Sequence, residues 1–234
     1  MKIVLYQFPA TYGMDVSVSP YCAKLELYLR LTDRDYSTEK GNVFKSPNKA
    51  VPYVQWEDGT IQAESDEIIA RFEKMGPSLD EGIIESERQL GEQLQTMAES
   101  KIYFSCLHHR FADSETWVHQ RETVRALVPT LLSPILTHVI RRGQITKCQE
   151  NGFNSEADYA KGINAVQELS EKLGDSDYFL GSEARTYDCA IWGNLANCAA
   201  TVTSNPVRDA IRSDERLVKY IKRLSERARL HIPV

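Results

Sequence analysis

The sequence predicts two unlike parts: a small mixed α/β domain over the first third of the chain and an all-helical domain over the rest. Two observations carry this. Short β-rich runs alternate with helical runs as far as Met75, and beyond it apolar residues recur only at helical spacing. Between the two regimes stands Gly76-Pro77-Ser78, a pair of helix breakers followed by a polar residue. The division read from this is residues 1–76 and residues 84–234 of the 234-residue chain.

Residues 3–8 form a β-rich run. Residues 20–31 place Ala23, Leu27 and Leu31 on one helical face, with Leu25 and Tyr28 flanking. A second short strand falls at 35–39. Residues 52–56 and 60–63 flank Glu57-Asp58-Gly59, a hairpin turn signal. Residues 65–75 are again helical, with Ile68, Ile69 and Phe72 inward. The order is β-α-β and then β-β-α, that of a thioredoxin-like domain.

In the second part, Leu90, Leu94, Met97 and Phe104 mark one long helical stripe, and Val124, Leu127, Leu131 and Ile135 another. Pro129 and Pro134 are expected to kink or split the latter, since proline lacks the amide donor and crowds the preceding turn. A third helix is expected over 155–173 with Ser155 as N-cap. A fourth, over 185–201, is rich in Ala, Gly, Asn and Cys, and small residues place it at the centre of the helical domain. From 208 onward, Leu217, Ile221, Leu224 and Ala228 recur on one face of an amphipathic helix whose basic face is solvated.

Composition bounds the function. Apolar residues make up 42% and charged residues 26%, ordinary for a globular protein. The net charge of −5 speaks against nucleic-acid binding. No apolar run is long enough to span a bilayer, and the first residues are too short and poorly patterned for a signal peptide, so a cytoplasmic protein without membrane contact is expected. The five cysteines show no CxxC pair and are read as buried fillers, not a disulfide framework or a zinc site. His108 and His109 are adjacent on a helix, so their side chains diverge and no metal is expected there.

Four segments carry chemistry. Ser19-Pro20-Tyr21-Cys22 stands at a strand-to-helix turn, where unbonded amides and the positive end of a helix favour an anion. If that anion is a thiolate, Ser19 can donate its hydroxyl to the sulfur; lowering a thiol pKa from ~8.5 by two units takes about 2.7 kcal/mol, within reach of one charge-assisted hydrogen bond plus a helix N-terminus. The alternative is that Ser19 only caps the helix. Val51-Pro52 opens a strand after a loop and is a candidate cis peptide, which would turn the Val51 backbone outward to pair with an extended peptide ligand. Glu64-Ser65-Asp66 offers a hydroxyl and amides for a carboxylate and acidic groups for an ammonium, so it suits an α-amino acid end; plain capping by Ser65 is the alternative. Phe179-Leu180-Gly181 with Thr186-Tyr187-Asp188 puts an Asp in the first turn of the central helix, a folding signal.

In this order and spacing, the segments resemble the glutathione transferase superfamily across nearly the whole chain. SPYCAKLELYLR is similar to the turn of glutaredoxin-like and omega- or beta-type members, SPNKAVPYV to the loop before the family's cis-proline, ESDEII to its Glu-Ser pair, and FLGSEARTYDCAIWG to the capping segment of its sixth helix. The long loop over 9–18 most resembles the metaxin and failed-axon-connections branch. The resemblance implies glutathione as co-substrate. Ser19 would hold its sulfur, Val51 and cis Pro52 would pair its backbone, Glu64 and Ser65 would take its γ-glutamyl end, and Lys49 would stand near its glycyl end. Tyr12, in the loop, is a rival to Ser19 for the sulfur. Tyr103, His108 and Trp117 would line the pocket for a small electrophile, and a homodimer is possible.

Three departures from the family pattern stand out. Ser19 replaces the first thioredoxin-type cysteine, so dithiol exchange is lost. Ala50 replaces the lysine that often precedes the Val-Pro pair. Arg185 stands where a hydroxyl residue usually caps the sixth helix. The leading expectation is a glutathione transferase active in detoxification. The alternatives are a non-catalytic metaxin-like scaffold and a glutathione-dependent thiol reductase; the latter would have only Cys22 to work with.

Overall fold

The computed structural model describes residues 2–128 and 132–234. Four strands, β1 (Lys2–Gln7), β2 (Asp35–Lys40), β3 (Tyr53–Gln55) and β4 (Ile61–Ala63), form one sheet in the order β2-β1-β3-β4. β1 runs parallel to β2, which requires the crossover helix α1 (Pro20–Leu31), while β3 and β4 are antiparallel neighbours joined by the expected tight turn. In that turn Gly59 takes φ +84, a left-handed value that costs glycine little, and Trp56 N–H bonds Thr60 C=O at 2.9 Å. α2 (Ser65–Glu73) buries Ile68, Ile69 and Phe72, as its sequence pattern requires. A single 3₁₀ turn, Val43–Lys45, is the only helical piece between β2 and β3 among the described residues.

The second part is helical throughout: α3 (Glu85–Met97), α4 (Tyr103–Ala112), α5 (Ser114–Leu127), α6 (Ser133–Glu150), α7 (Tyr159–Leu173), α8 (Thr186–Ala199), α9 (Pro206–Ser213) and α10 (Glu215–Arg227). Its long first stripe is not one uniform helix. Ala98–Ile102 forms a widened π-type turn between α3 and α4, a device that re-aims side chains and that the sequence period does not reveal. The second stripe is divided between α5 and α6. Pro134 sits in the first turn of α6, where its missing donor costs nothing; Pro129 and Leu131 lie outside the described residues.

Two capping expectations and one helix boundary change in detail. Ser155 does hold the cap position, of a 3₁₀ turn (Glu156–Asp158) that leads into α7, but its hydroxyl makes no cap bond; the Asp158 carboxylate instead receives the amides of Asn154 and Ser155 at 2.9 and 3.2 Å. At α2 the cap position is Glu64, and Ser65 is the first helical residue. The C-terminal amphipathic stretch is two helices, because Asp214 ends α9 and its carboxylate accepts the amides of Arg216 and Leu217 to start α10. Its apolar face is buried as the spacing requires, with Leu217, Ile221 and Leu224 fully covered.

α8 is the axis of the molecule: every residue from Tyr187 to Ala199 is buried. It packs along α1, so the helical domain supports the very helix whose N-terminus ends the first β-α turn. Gly193 makes this approach possible. A Cβ there would stand 2.6 Å from the Pro20 carbonyl oxygen and 3.2 Å from the Lys24 amide, both backbone atoms that cannot move aside cheaply. Gly193→Ala is therefore expected to destabilise the fold by about 2 kcal/mol in urea unfolding, as overpacking does. An unchanged midpoint would mean that the two helices are free to separate.

Candidate functional site

Sheet register decides what meets at the site. The C-terminal end of β1 pairs with the N-terminal end of β3, Tyr6 against Tyr53, and Tyr53 in turn opposes Ala63 at the end of β4. The loop leaving β1, the Val51-Pro52 pair entering β3 and Glu64 leaving β4 therefore emerge at one edge of the sheet. Gly41, where β2 ends, closes the same edge: its amide bonds the Gln7 carbonyl at 2.8 Å, and a Cβ there would lie 2.5 Å from the Val51 side chain.

Ser19 is the cap residue of α1, with extended backbone (φ −88, ψ 121) and Pro20 in the first turn. Its hydroxyl makes no cap bond. Proline at N1 contributes no amide, so the donors that the helix leaves unbonded belong to Tyr21 and Cys22. Ser19 N–H is held by the Ser17 hydroxyl at 3.2 Å, and the loop behind it is closed by an Ala10–Ser17 bridge. Cys22 lies one turn into α1, fully buried. Burial pushes its thiol up to about 11, although the Ser19 hydroxyl, the Phe8 amide and the Ser17 hydroxyl pull the other way. Cys22 therefore stays a protonated thiol at neutral pH and is no nucleophile.

The Val51-Pro52 bond is cis. The loop before it is tied to the next segment by Asn48, a residue that no sequence pattern singles out. Asn48 Oδ1 accepts from the Ser46 hydroxyl at 2.6 Å and the Ala50 amide at 3.0 Å, and its Nδ2 donates to Glu64 Oε1 at 2.7 Å. Lys49 is exposed at the tip of this loop. Glu64 has φ +67, a left-handed value that a non-glycine residue adopts only when its surroundings impose it. Such local strain just before a helix N-terminus directs the backbone of Glu64 and Ser65 toward the sheet edge.

Other elements crowd the start of α1. The Tyr103 ring meets the Tyr21 ring edge-on at 5.2 Å. Burial, then Tyr103, Glu99, Asp66 and Glu64, push the Tyr21 hydroxyl far above its ordinary range, so it remains a donor. Beneath them Lys24, only 2% exposed, is paired with Asp66 of α2 at 2.6 Å and with Glu99 of the π-type turn at 2.9 Å. A lysine inside an apolar helix face is a visible anomaly in the sequence, but its partners, from two other elements, are not.

The remaining predicted residues look elsewhere. The Tyr12 hydroxyl donates to Gln120 Oε1 on α5, and its ring stacks 5.1 Å from the Arg110 guanidinium. His108 is buried against α7, its Nδ1 3.0 Å from the Tyr159 hydroxyl, and burial pulls its pKa below the ordinary value. Trp117 packs between Phe111 and the Arg141 guanidinium, 4.8 Å from its ring. Of the three aromatic residues expected around an electrophile, the structure brings only Tyr103 to the turn. Among the described residues, no group of three His, Cys, Asp or Glu side chains could hold a metal, and no helix is long and apolar enough to cross a membrane.

A four-stranded α/β sheet domain whose cis-proline edge faces an all-helical domain is the glutathione-transferase fold. Residues 20–116 match the glutathione S-transferase N-terminal domain family, and residues 162–224 match the glutathione S-transferase C-terminal domain family. The chain belongs to the glutathione S-transferase superfamily. It is 25% identical, over 95% of its length and 97% of the relative's, to an isoprene-epoxide glutathione S-transferase of Rhodococcus sp. (strain AD45). In fold it is similar to the glutathione transferase GSTFuA3 of Phanerochaete chrysosporium, with a TM-score of 0.70, 16% identity, and 100% and 99% of the two chains covered. It is also similar to a glutathione S-transferase of Methylobacterium radiotolerans solved with glutathione sulfonate, with a TM-score of 0.60, 14% identity, and 96% and 91% covered.

Proposed function

We propose that this chain is a glutathione transferase that presents the thiolate of bound glutathione to a small electrophilic carbon. One observation carries the reading: the sheet register brings the Ser19 turn, the cis Val51-Pro52 pair and the strained Glu64-Ser65 turn to a single edge. Each supplies one thing an extended thiol peptide requires. Ser19 and the amides of the first turn of α1 stabilise the sulfur as an anion. Val51 offers backbone groups for strand-like pairing with the peptide. Glu64 and Ser65 offer a carboxylate and a helix N-terminus to the two charges of the γ-glutamyl end. Lys49, exposed in the same loop as Val51, offers a cation to the glycyl carboxylate.

The chemistry is a two-electron substitution or addition. The sulfur lone pair forms a new C–S bond, and the bond from that carbon to its leaving group, or to an epoxide oxygen, breaks and takes the electrons. The protein contributes a stabilised thiolate and proximity and forms no covalent intermediate of its own. An epoxide is the favoured electrophile class, because the Rhodococcus relative is named for one. Tyr21 and Tyr103, both held as phenols beside the turn, are suited to donate a hydrogen bond to the oxygen that an opening epoxide leaves behind. Ser19 is favoured over Tyr12 for the sulfur, since the Tyr12 hydroxyl is already spent on Gln120. A cytoplasmic, detoxifying role and a homodimer belong to the same proposal. Thiol reduction is disfavoured by Cys22, whose buried thiol is held up near 11.

Isothermal titration with glutathione tests the reading. Saturable binding at millimolar ligand or below is expected; no heat of binding in that range would overturn it.

A further inference from the structure

Arg110 of α4 is 4% exposed, and among the described residues it makes no ion pair. Burying a guanidinium without a carboxylate is expensive, and such a charge persists where something else uses it. Its hydrogen bonds show what it holds. Nη1 donates to the carbonyl of Val18 at 2.9 Å, and Nη2 donates to the carbonyl of Asn197 at 2.6 Å and approaches the Thr201 hydroxyl at 3.4 Å. Val18 is the residue before Ser19. One residue earlier, the Ser17 carbonyl receives the Asn197 side-chain amide at 3.4 Å. The turn that presents Ser19 is thus pinned from outside its own domain, by α4 and α8, and the planar fork of the guanidinium ties both helices to one carbonyl of the loop.

We propose that Arg110 is a positioning residue for the thiol site: it fixes the Val18 carbonyl, and with it the orientation of Ser19, and gives the turn a buried positive charge that favours a thiolate. The inference rests on the glutathione-transferase reading above. The titratable groups that face the guanidinium are Tyr12 from the loop, Tyr103, Cys106 and His109 from α4, and Cys198 from α8; none is a carboxylate. The Cys106 thiol is drawn below its ordinary range by the Cys198 thiol and then by the guanidinium; the same charge pulls on Tyr12, Tyr103 and Cys198, whose shifts are upward because other causes outweigh it.

The test is the thiol pKa of bound glutathione, read by NMR from glutathione labelled with carbon-13 at the cysteinyl Cβ, a signal to which the protein's own thiols do not contribute. Arg110→Gln, a shorter neutral amide, and Arg110→Met, an apolar chain, are each expected to raise this pKa by about one unit, the scale of one partly buried charge. Turnover at pH 7 should fall about threefold in parallel, recovering as the pH is raised. Arg110→Lys, retaining the charge, should raise the pKa by less than either neutral variant does. A wild-type thiol pKa in a folded Arg110→Gln protein would overturn the inference and leave the proposed function standing. If neither neutral variant folds, Arg110→Lys decides. Its shorter cation cannot bridge Val18 and Asn197, so kcat should fall several-fold with glutathione affinity kept, and an unchanged kcat would overturn the proposal. A wild-type protein that binds glutathione without lowering its thiol pKa would overturn the function itself, and this inference with it.

Discussion

Asp188→Ala is expected to lower the unfolding free energy by about 3 kcal/mol at pH 7, more than the overpacking at Gly193 costs. The carboxylate is completely buried at the start of α8. It accepts the Arg185 amide at 2.8 Å, the Phe179 amide at 3.2 Å and the Tyr220 hydroxyl at 3.0 Å, so it ties the loop before α8 and the C-terminal helix α10 to the central axis. Alanine leaves the Phe179 and Arg185 amides without this partner, while the Tyr220 hydroxyl keeps only the Asp188 backbone carbonyl, at 3.1 Å. Asparagine restores one acceptor but turns an amide donor toward another, so Asp188→Asn should lose most of the same stability. Burial also pushes the Asp188 carboxyl up to about 6, from 3.8. With the folded pKa above the unfolded one, the native chain holds more protons than the unfolded chain between about pH 4 and pH 6. The contribution of this group to stability therefore falls as pH rises through that window, by roughly 2–3 kcal/mol, and is level above it. A variant without the carboxyl lacks this slope. The gap between wild type and Asp188→Ala, measured by urea unfolding, should be widest near pH 4 and narrow toward pH 7; a gap independent of pH would mean that Asp188 is not the titrating group.

Ser19→Ala should reduce kcat/KM with a standard aryl halide by about 20-fold at pH 7, the drop in thiolate fraction as the bound thiol returns from about 6.5 toward ~8.5. The loss should fall mainly on kcat, because the Val51 and Glu64-Ser65 contacts that bind the rest of the peptide are untouched. Raising the pH should restore part of the rate, since the variant's thiol then ionises without help. Tyr12→Phe should have little effect on this pH profile, because its hydroxyl already serves Gln120. If Tyr12→Phe shifts the profile and Ser19→Ala does not, the roles of the two residues are reversed.

Features whose cause lies within a few neighbouring residues are legible in the sequence. The turn at Glu57-Asp58-Gly59, the cis-proline position and the buried Asp188 are each announced by short segments with a local geometric requirement. The π-type turn at Ala98–Ile102 is not legible, because a helix with one extra residue per turn keeps nearly the same apolar period. Capping by Asp158 and the double bond of Asp214 are hidden for a related reason: several polar residues near each helix start are equally competent, and tertiary packing chooses among them. At the site, the departure at Arg185 reads as a missing hydroxyl cap. In the fold, its guanidinium bonds the carbonyls of Leu79 and Glu81, both at 2.8 Å, while Thr186 takes the Asp80 carboxylate, so the link between the domains is fastened to the start of α8. Asn48, Lys24 and Arg110 escape for the same reason as one another. Their partners are distant in sequence, and nothing in the local pattern of an Asn, a Lys or an Arg says which carbonyl or carboxylate will come to meet it.

The central claim is that this fold lowers the pKa of a bound peptide thiol at the Ser19 turn, and the most direct measurement is the titration of bound glutathione itself. Followed by thiolate absorbance in the ultraviolet, with the glutathione-free protein subtracted, the wild-type complex should ionise roughly two units below a free thiol at ~8.5. The Ser19→Ala complex should return most of the way to the free value. A wild-type complex that titrates like glutathione in solution would contradict the account.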